Sequence, residues 1–66
     1  MTLAGRVWNS IESGERLELL QHCAMRMSDS LRMHESTLTW DSLLPSTQED
    51  LLEVDFSEIL GRDVTP

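Results

Sequence analysis

Leu17, Leu20, Ala24, Met27 and Leu31 recur at intervals of 3, 4, 3 and 4. That spacing marks one face of a helix; a half-buried strand would alternate every second residue. No proline, valine or isoleucine falls between Glu15 and His34. The pattern predicts one long amphipathic helix over about 15–34 and an all-α fold. Its e and g flanks are Arg16, Gln21, Cys23, Ser28 and Ser30. Only Arg16 is charged, so the salt-bridge code of a parallel zipper is missing. Small flanks suit a helical hairpin or a small bundle of three to four helices. Leu19, Met25 and Met33 lie off the seam and form a second, weaker apolar strip, which asks for a second neighbour.

With 66 residues, the chain is read as a single small helical domain spanning 1–66. Such a domain buries only about 60% of its unfolded surface, and proteins of this size commonly add a staple. Cys23 is the only cysteine, so no disulfide can form within one chain, and the usage fits a reducing, cytoplasmic setting. Homodimerisation through the Leu17/Leu20/Ala24/Met27/Leu31 seam is the expected staple.

The chain nearly repeats a phrase. "VWNSIESGERLELL" (7–20) and "TWDSLLPSTQEDLLEV" (39–54) align 32 positions apart, matching Trp8 with Trp40, Ser10 with Ser42, Leu19 with Leu51 and Leu20 with Leu52. Each is a Trp-led turn, a breaker, and a fresh helix with a Leu-Leu pair. Recurrent helix-start grammar and a duplicated unit both account for it. Either way, each Trp is expected to cover the start of the next helix and close one end of a core.

Punctuation divides the rest. Thr2 caps a short helix over about 3–12, and Ser13-Gly14 breaks it. Glu12 with Arg16 and Glu18 with His22 are supportive i,i+4 pairs. A connector spans 35–45. Ser46-Thr47-Gln48-Glu49 has the form of a capping box and opens an acidic helix over about 46–60, with Leu52, Phe56, Ile59 and Leu60 on one face. Gly61 is its C-cap, and Arg62 suits its negative end. The tail, 62–66, should fray.

Charge is uneven. Residues 1–33 hold four acids and four arginines, whereas 34–66 hold eight acids and only Arg62, which gives the whole net charge of -7. There is no lysine. This argues against direct binding to nucleic-acid phosphates and against an anionic membrane surface. It favours a protein partner with a basic surface. "MTLAGRVWN" is not a signal peptide, and no apolar run approaches the roughly 20 residues of a membrane span.

No constellation carries chemistry. His22 and Cys23 are neighbours whose side chains diverge on a helix, and His34 falls about 16 Å further along at 1.5 Å per residue. Zinc spacing, a phosphate loop and a catalytic triad are absent. The residues predict no enzyme activity, no cofactor and no metal. They point to a non-enzymatic protein-binding regulator or inhibitor, in the style of a phage or mobile-element accessory or anti-defence factor in a bacterial cytoplasm. The candidate partner-binding residues are Glu49, Asp50, Glu53, Asp55, Glu58, Trp40, Met25 and Met33. The alternatives are an assembly or adaptor module using exposed Trp and Met, and a helical transcriptional regulator using Arg16, Arg26 and Arg32.

Overall fold

The computed structural model describes residues 2–23 and 28–65. Every regular element among them is helical: α1 Leu3–Ser10, α2 Ser13–His22, α3 Asp29–Glu35, a 3-10 turn Trp40–Ser42, α4 Pro45–Leu52 and α5 Phe56–Leu60. The expected all-α class is what the chain adopts.

α1 begins as predicted. Thr2 Oγ1 accepts from Gly5 N–H at 3.1 Å, which satisfies one of the four amides a helix start leaves open. It ends at Ser10, because Ile11 turns extended (ψ 164°). Glu12 is extended too and exchanges capping-box contacts with Glu15 at the head of α2. The break expected at Ser13-Gly14 therefore exists, displaced by two residues to Ile11-Glu12.

The long helix over 15–34 does not form. α2 stops at Cys23, whose ψ is 146°. α3 starts afresh at Ser28, whose hydroxyl accepts from Leu31 N–H at 3.4 Å. Asp29 sits in its first turn, where the helix dipole favours an acid. A heptad register cannot pass through two extended residues, so the seam comes apart. Leu20 is fully buried in the core of its own chain, Leu17 is half-buried, and Leu31 is 40% exposed. Leu19, placed off the seam by the sequence, is fully buried beside Leu20. Ala24, Met25, Arg26 and Met27 lie outside the described residues.

The acidic helix over 46–60 is also two helices. α4 begins one residue before the expected capping box, with Leu44 as N-cap and Pro45 at N1, the position where a missing amide proton is no loss. Thr47 is buried rather than part of an exposed cap, and its hydroxyl donates to Glu35 Oε2 at 3.0 Å. α4 ends at Leu52. Asp55 then caps α5, with its Oδ1 accepting from Glu58 N–H at 3.2 Å. Gly61 closes α5 in the left-handed conformation (φ 69°), as predicted for a residue without a Cβ. The tail does not fray as expected, because Val64 packs into the core.

The repeated phrase has a structural counterpart. Ile11 and Leu43 both leave the preceding turn extended and buried, and α2 and α4 begin 32 residues apart, at Ser13 and Pro45. The two indoles meet each other instead of closing opposite ends. Their centroids are 6.4 Å apart at an interplanar angle of 63°, the edge-to-face arrangement that suits aromatic quadrupoles. α2 packs on both α5 and α3, and α1 packs on the 3-10 turn.

Candidate functional site

Residues committed to the core leave the surface free for others. Trp8 Nε1 donates to Leu38 O at 2.8 Å. Arg16 Nε donates to Trp8 O at 2.8 Å, and its guanidinium lies 5.6 Å from the Trp8 ring centroid. Arg16 Nη1 reaches Leu38 O at 3.4 Å. In the second phrase, Gln48 Nε2 donates to Trp40 O at 2.6 Å, and Trp40 N–H donates to Asn9 Oδ1 at 3.0 Å. Trp40 is only 6% exposed, so its place among the partner-binding residues is corrected: it joins the two halves of the core. Arg16 likewise spends Nε and Nη1 on backbone carbonyls of its own chain instead of its expected pairing with Glu12.

The acidic residues divide by position. Glu49, Glu53, Asp55 and Glu58 are exposed, and Asp50 is half-buried. They do not share one helix: Glu49 and Asp50 belong to α4, Glu53 is its C-cap, Asp55 caps α5 and Glu58 follows in the first turn of α5. The rigid ladder of carboxylates expected from one continuous helix is replaced by acids on two short helices and the bend between them. Asp55 also has structural work at its cap. Of the two methionines assigned to a contact surface, Met33 is 60% exposed, and Met25 lies outside the described residues.

Arg62 is the only arginine or lysine of the C-terminal half, and it is already taken. Its Nε and Nη2 grip Glu15 Oε2 and Oε1 at 2.6 and 2.7 Å. This two-pronged contact holds the Glu15 carboxyl below its ordinary range and the guanidinium above its own. It ties the end of α5 to the start of α2, so Arg62 does not stand free to neutralise the acids around it.

Beside these acids lies an apolar groove of about 390 Å³, formed where the start of α1 meets the α4–α5 junction and the tail. Val7, Phe56 and Val64 are buried in its floor, and Leu3 and Leu52 stand at its edge. Asp55 and Asp63 contribute the charge of its lining. The sequence reading missed this feature. Leu52 was placed on the buried face of one long helix, yet it is half exposed because the chain bends immediately after it.

Among the described residues, the remaining titratable groups do not gather into a centre. His22 and His34 are exposed on different helices, so their separation is no longer a distance along one rod. Cys23 is buried, and burial first, then the negative charge of Asp50, pushes its thiol up to about 11. That favours an unreactive thiol over a nucleophile. Among the described residues, no group of three His, Cys, Asp or Glu side chains is placed to hold a metal ion. Arg32 Nε is buried without a hydrogen-bond partner among them. No helix among the described residues is long and apolar enough to cross a membrane. The chain matches no protein-family profile, no curated protein and no solved structure.

Proposed function

We propose that the chain is a non-enzymatic protein-binding regulator or inhibitor whose acidic C-terminal half engages a basic surface of another protein. One observation carries this reading. Residues 34–66 hold eight acids against Arg62 alone, and Arg62 is held by Glu15. The exposed acids of α4 and α5 are therefore left to an outside partner. Close charge pairs of this kind raise association rates and set specificity. The same reading places the protein in a reducing compartment, where the buried thiol of Cys23 stays free.

Two competing readings have less support. An adaptor binding through Trp8, Met25, Met33 and Trp40 keeps only Met33 at the surface among the described residues, since both tryptophans are buried. A DNA-binding regulator would use Arg16, Arg26 and Arg32; of these, Arg16 is spent on Trp8 O and Leu38 O, and Arg26 lies outside the described residues. A homodimer would have to use apolar side chains that the single chain leaves outside, such as Leu31 and Met33 of α3.

The test is capture of partners from the native host at low and high salt, using the natural chain and the Glu49→Lys/Glu53→Lys double variant. Both residues are exposed, so helix content should be unchanged by circular dichroism. Retention should fall steeply with salt, since screening acts on exposed charges within a Debye length of about 10 Å at 0.1 M. It should vanish in the double variant. Retention that ignores both salt and charge reversal would reduce the acidic surface to a solubilising face.

A further inference from the structure

We propose that the groove between α1 and the α4–α5 junction anchors an amphipathic helical segment of the partner, one whose apolar stripe is flanked by lysine or arginine. The proposal rests on the protein-binding reading above and names what the partner must present.

The groove has an apolar floor and two leucines at its rim. Val7, Phe56 and Val64 are buried beneath it, while Leu3 and Leu52 are 69% and 50% exposed at its edge. A single exposed leucine is ordinary on a protein surface. Two that line one groove add exposed apolar surface to it, and exposed apolar surface gathered in one place marks an interaction site. A small molecule would be buried for about 70–90% of its surface inside its pocket and would leave both leucines in water. A helix laid along the groove covers floor and rim together, using side chains at i, i+3, i+4 and i+7.

Charge selects the flanks of that helix. Asp55 and Asp63 line the groove, and no cationic side chain among the described residues does. Asp55 Oδ1 accepts from Glu58 N–H, and a carboxylate has lone pairs to spare beyond one such bond. Arg62, the neighbour of Asp63 in sequence, is held by Glu15. Glu53, between Leu52 and Val54 in sequence, is exposed. A second copy of the chain is the wrong occupant. A twofold contact sets the same patch against itself, which would press the aspartates of two molecules of net charge -7 together over a small groove.

The experiment titrates the full chain with three synthetic probes, read by calorimetry and amide chemical shifts. One is a leucine/lysine peptide with leucines at i, i+3, i+4 and i+7, the second replaces its lysines by glutamate, and the third is oligolysine. The leucine/lysine peptide should bind best and shift the amides of Leu3, Leu52, Val54 and Phe56. Leu52→Glu and Leu3→Glu should each weaken it about tenfold or more, about 1.4 kcal/mol, with folding checked by circular dichroism. Leu52→Ala and Leu3→Ala serve as milder variants in case the charged ones fail to fold. Binding that survives every rim substitution overturns the proposal. Equal binding of the leucine/glutamate peptide overturns its basic flank. If oligolysine binds as tightly, ignores the rim variants and is lost in Glu49→Lys/Glu53→Lys, the groove fails while the acidic-surface reading stands. Leucine/lysine binding that survives that double reversal but falls with Leu52→Glu supports the groove and moves the charge recognition away from Glu49 and Glu53. A natural chain that sediments at twice 7.5 kDa, and becomes monomeric in Leu52→Glu, makes a second copy the occupant and overturns the proposal.

Discussion

Trp8 shows how far single side chains decide this fold. Its carbonyl is one of the last four of α1, which the helix itself cannot satisfy. Arg16 supplies the missing donor at 2.8 Å. At the same offset of eight residues, Gln48 serves Trp40 O at 2.6 Å. From sequence, Arg16 reads as the i,i+4 partner of Glu12. A surface ion pair of that kind is worth only a few tenths of a kcal/mol, whereas an unpaired buried carbonyl costs about 1–3 kcal/mol, so the carbonyl wins. Cys23 gives a sharp test at this scale. Its folded pKa of about 11 lies above the ordinary 9.0. Its contribution to stability is therefore complete below pH 9 and is lost as pH rises through about 11. The chain contains no tyrosine and no lysine, so no other side chain is expected to titrate in that window. Denaturation at a series of pH values should show a loss of about 1–2 kcal/mol across it, and Cys23→Ala should level the curve. A natural chain whose stability is flat to pH 11 would place the thiol in water.

At the scale of elements, the chain proves to be a set of short helices, each started by its own cap. The sequence carried the signals but two were read for something else. Asp55-Phe56-Ser57-Glu58 has the same cap-x-x-Glu form as Ser46-x-x-Glu49, yet within the acidic run Asp55 and Glu58 read as acids of a helix already running. Ser28-Asp29 is a fair start signal too, masked by an apolar spacing that continues across it to Leu31. Spacing alone cannot reveal a break when the residues on both sides keep the register by coincidence. Thr2 and Gly61 were legible because no longer pattern competed with them. Asp55 separates a cap from a partner contact. Asp55→Ala should destabilise the chain by about 1 kcal/mol in urea denaturation. Asp55→Asn, which keeps an oxygen to accept from Glu58 N–H and removes a charge from an acidic surface, should be near neutral. Ser46→Ala should fall within about 0.5 kcal/mol, as for a surface change away from any cap. Equal losses at Asp55 and Ser46 would restore the capping box first expected at Ser46.

Over the whole molecule, the two phrases make one core. The helices that follow the tryptophans, α2 and α4, are ten and eight residues long, below the roughly 12–15 residues at which an isolated helix is even marginal in water. Neither half can stand on its own helix propensity, and each supplies the other's apolar cover through the Trp8–Trp40 contact. The radius of gyration, 10.5 Å, is close to the roughly 11 Å expected of a compact chain of this length. The acidic imbalance of the second half was legible, since charge needs only counting. The groove was not, because it joins residues 2–7 to residues 52–65 and no spacing within either stretch announces the other. Shared burial carries a consequence for unfolding. Tryptophan fluorescence and far-ultraviolet circular dichroism should report one coincident transition. Leu20→Glu tests the same point from the other side. Placed on a dimer seam, it would lower the mass and leave a folded chain. Placed in the core, it buries a carboxylate without a partner, costing several kcal/mol against a total stability of only about 5–15 kcal/mol or less for so small a chain. We expect loss of helix content without a prior change in sedimenting mass. A folded variant of lower mass would return Leu20 to an interface between chains.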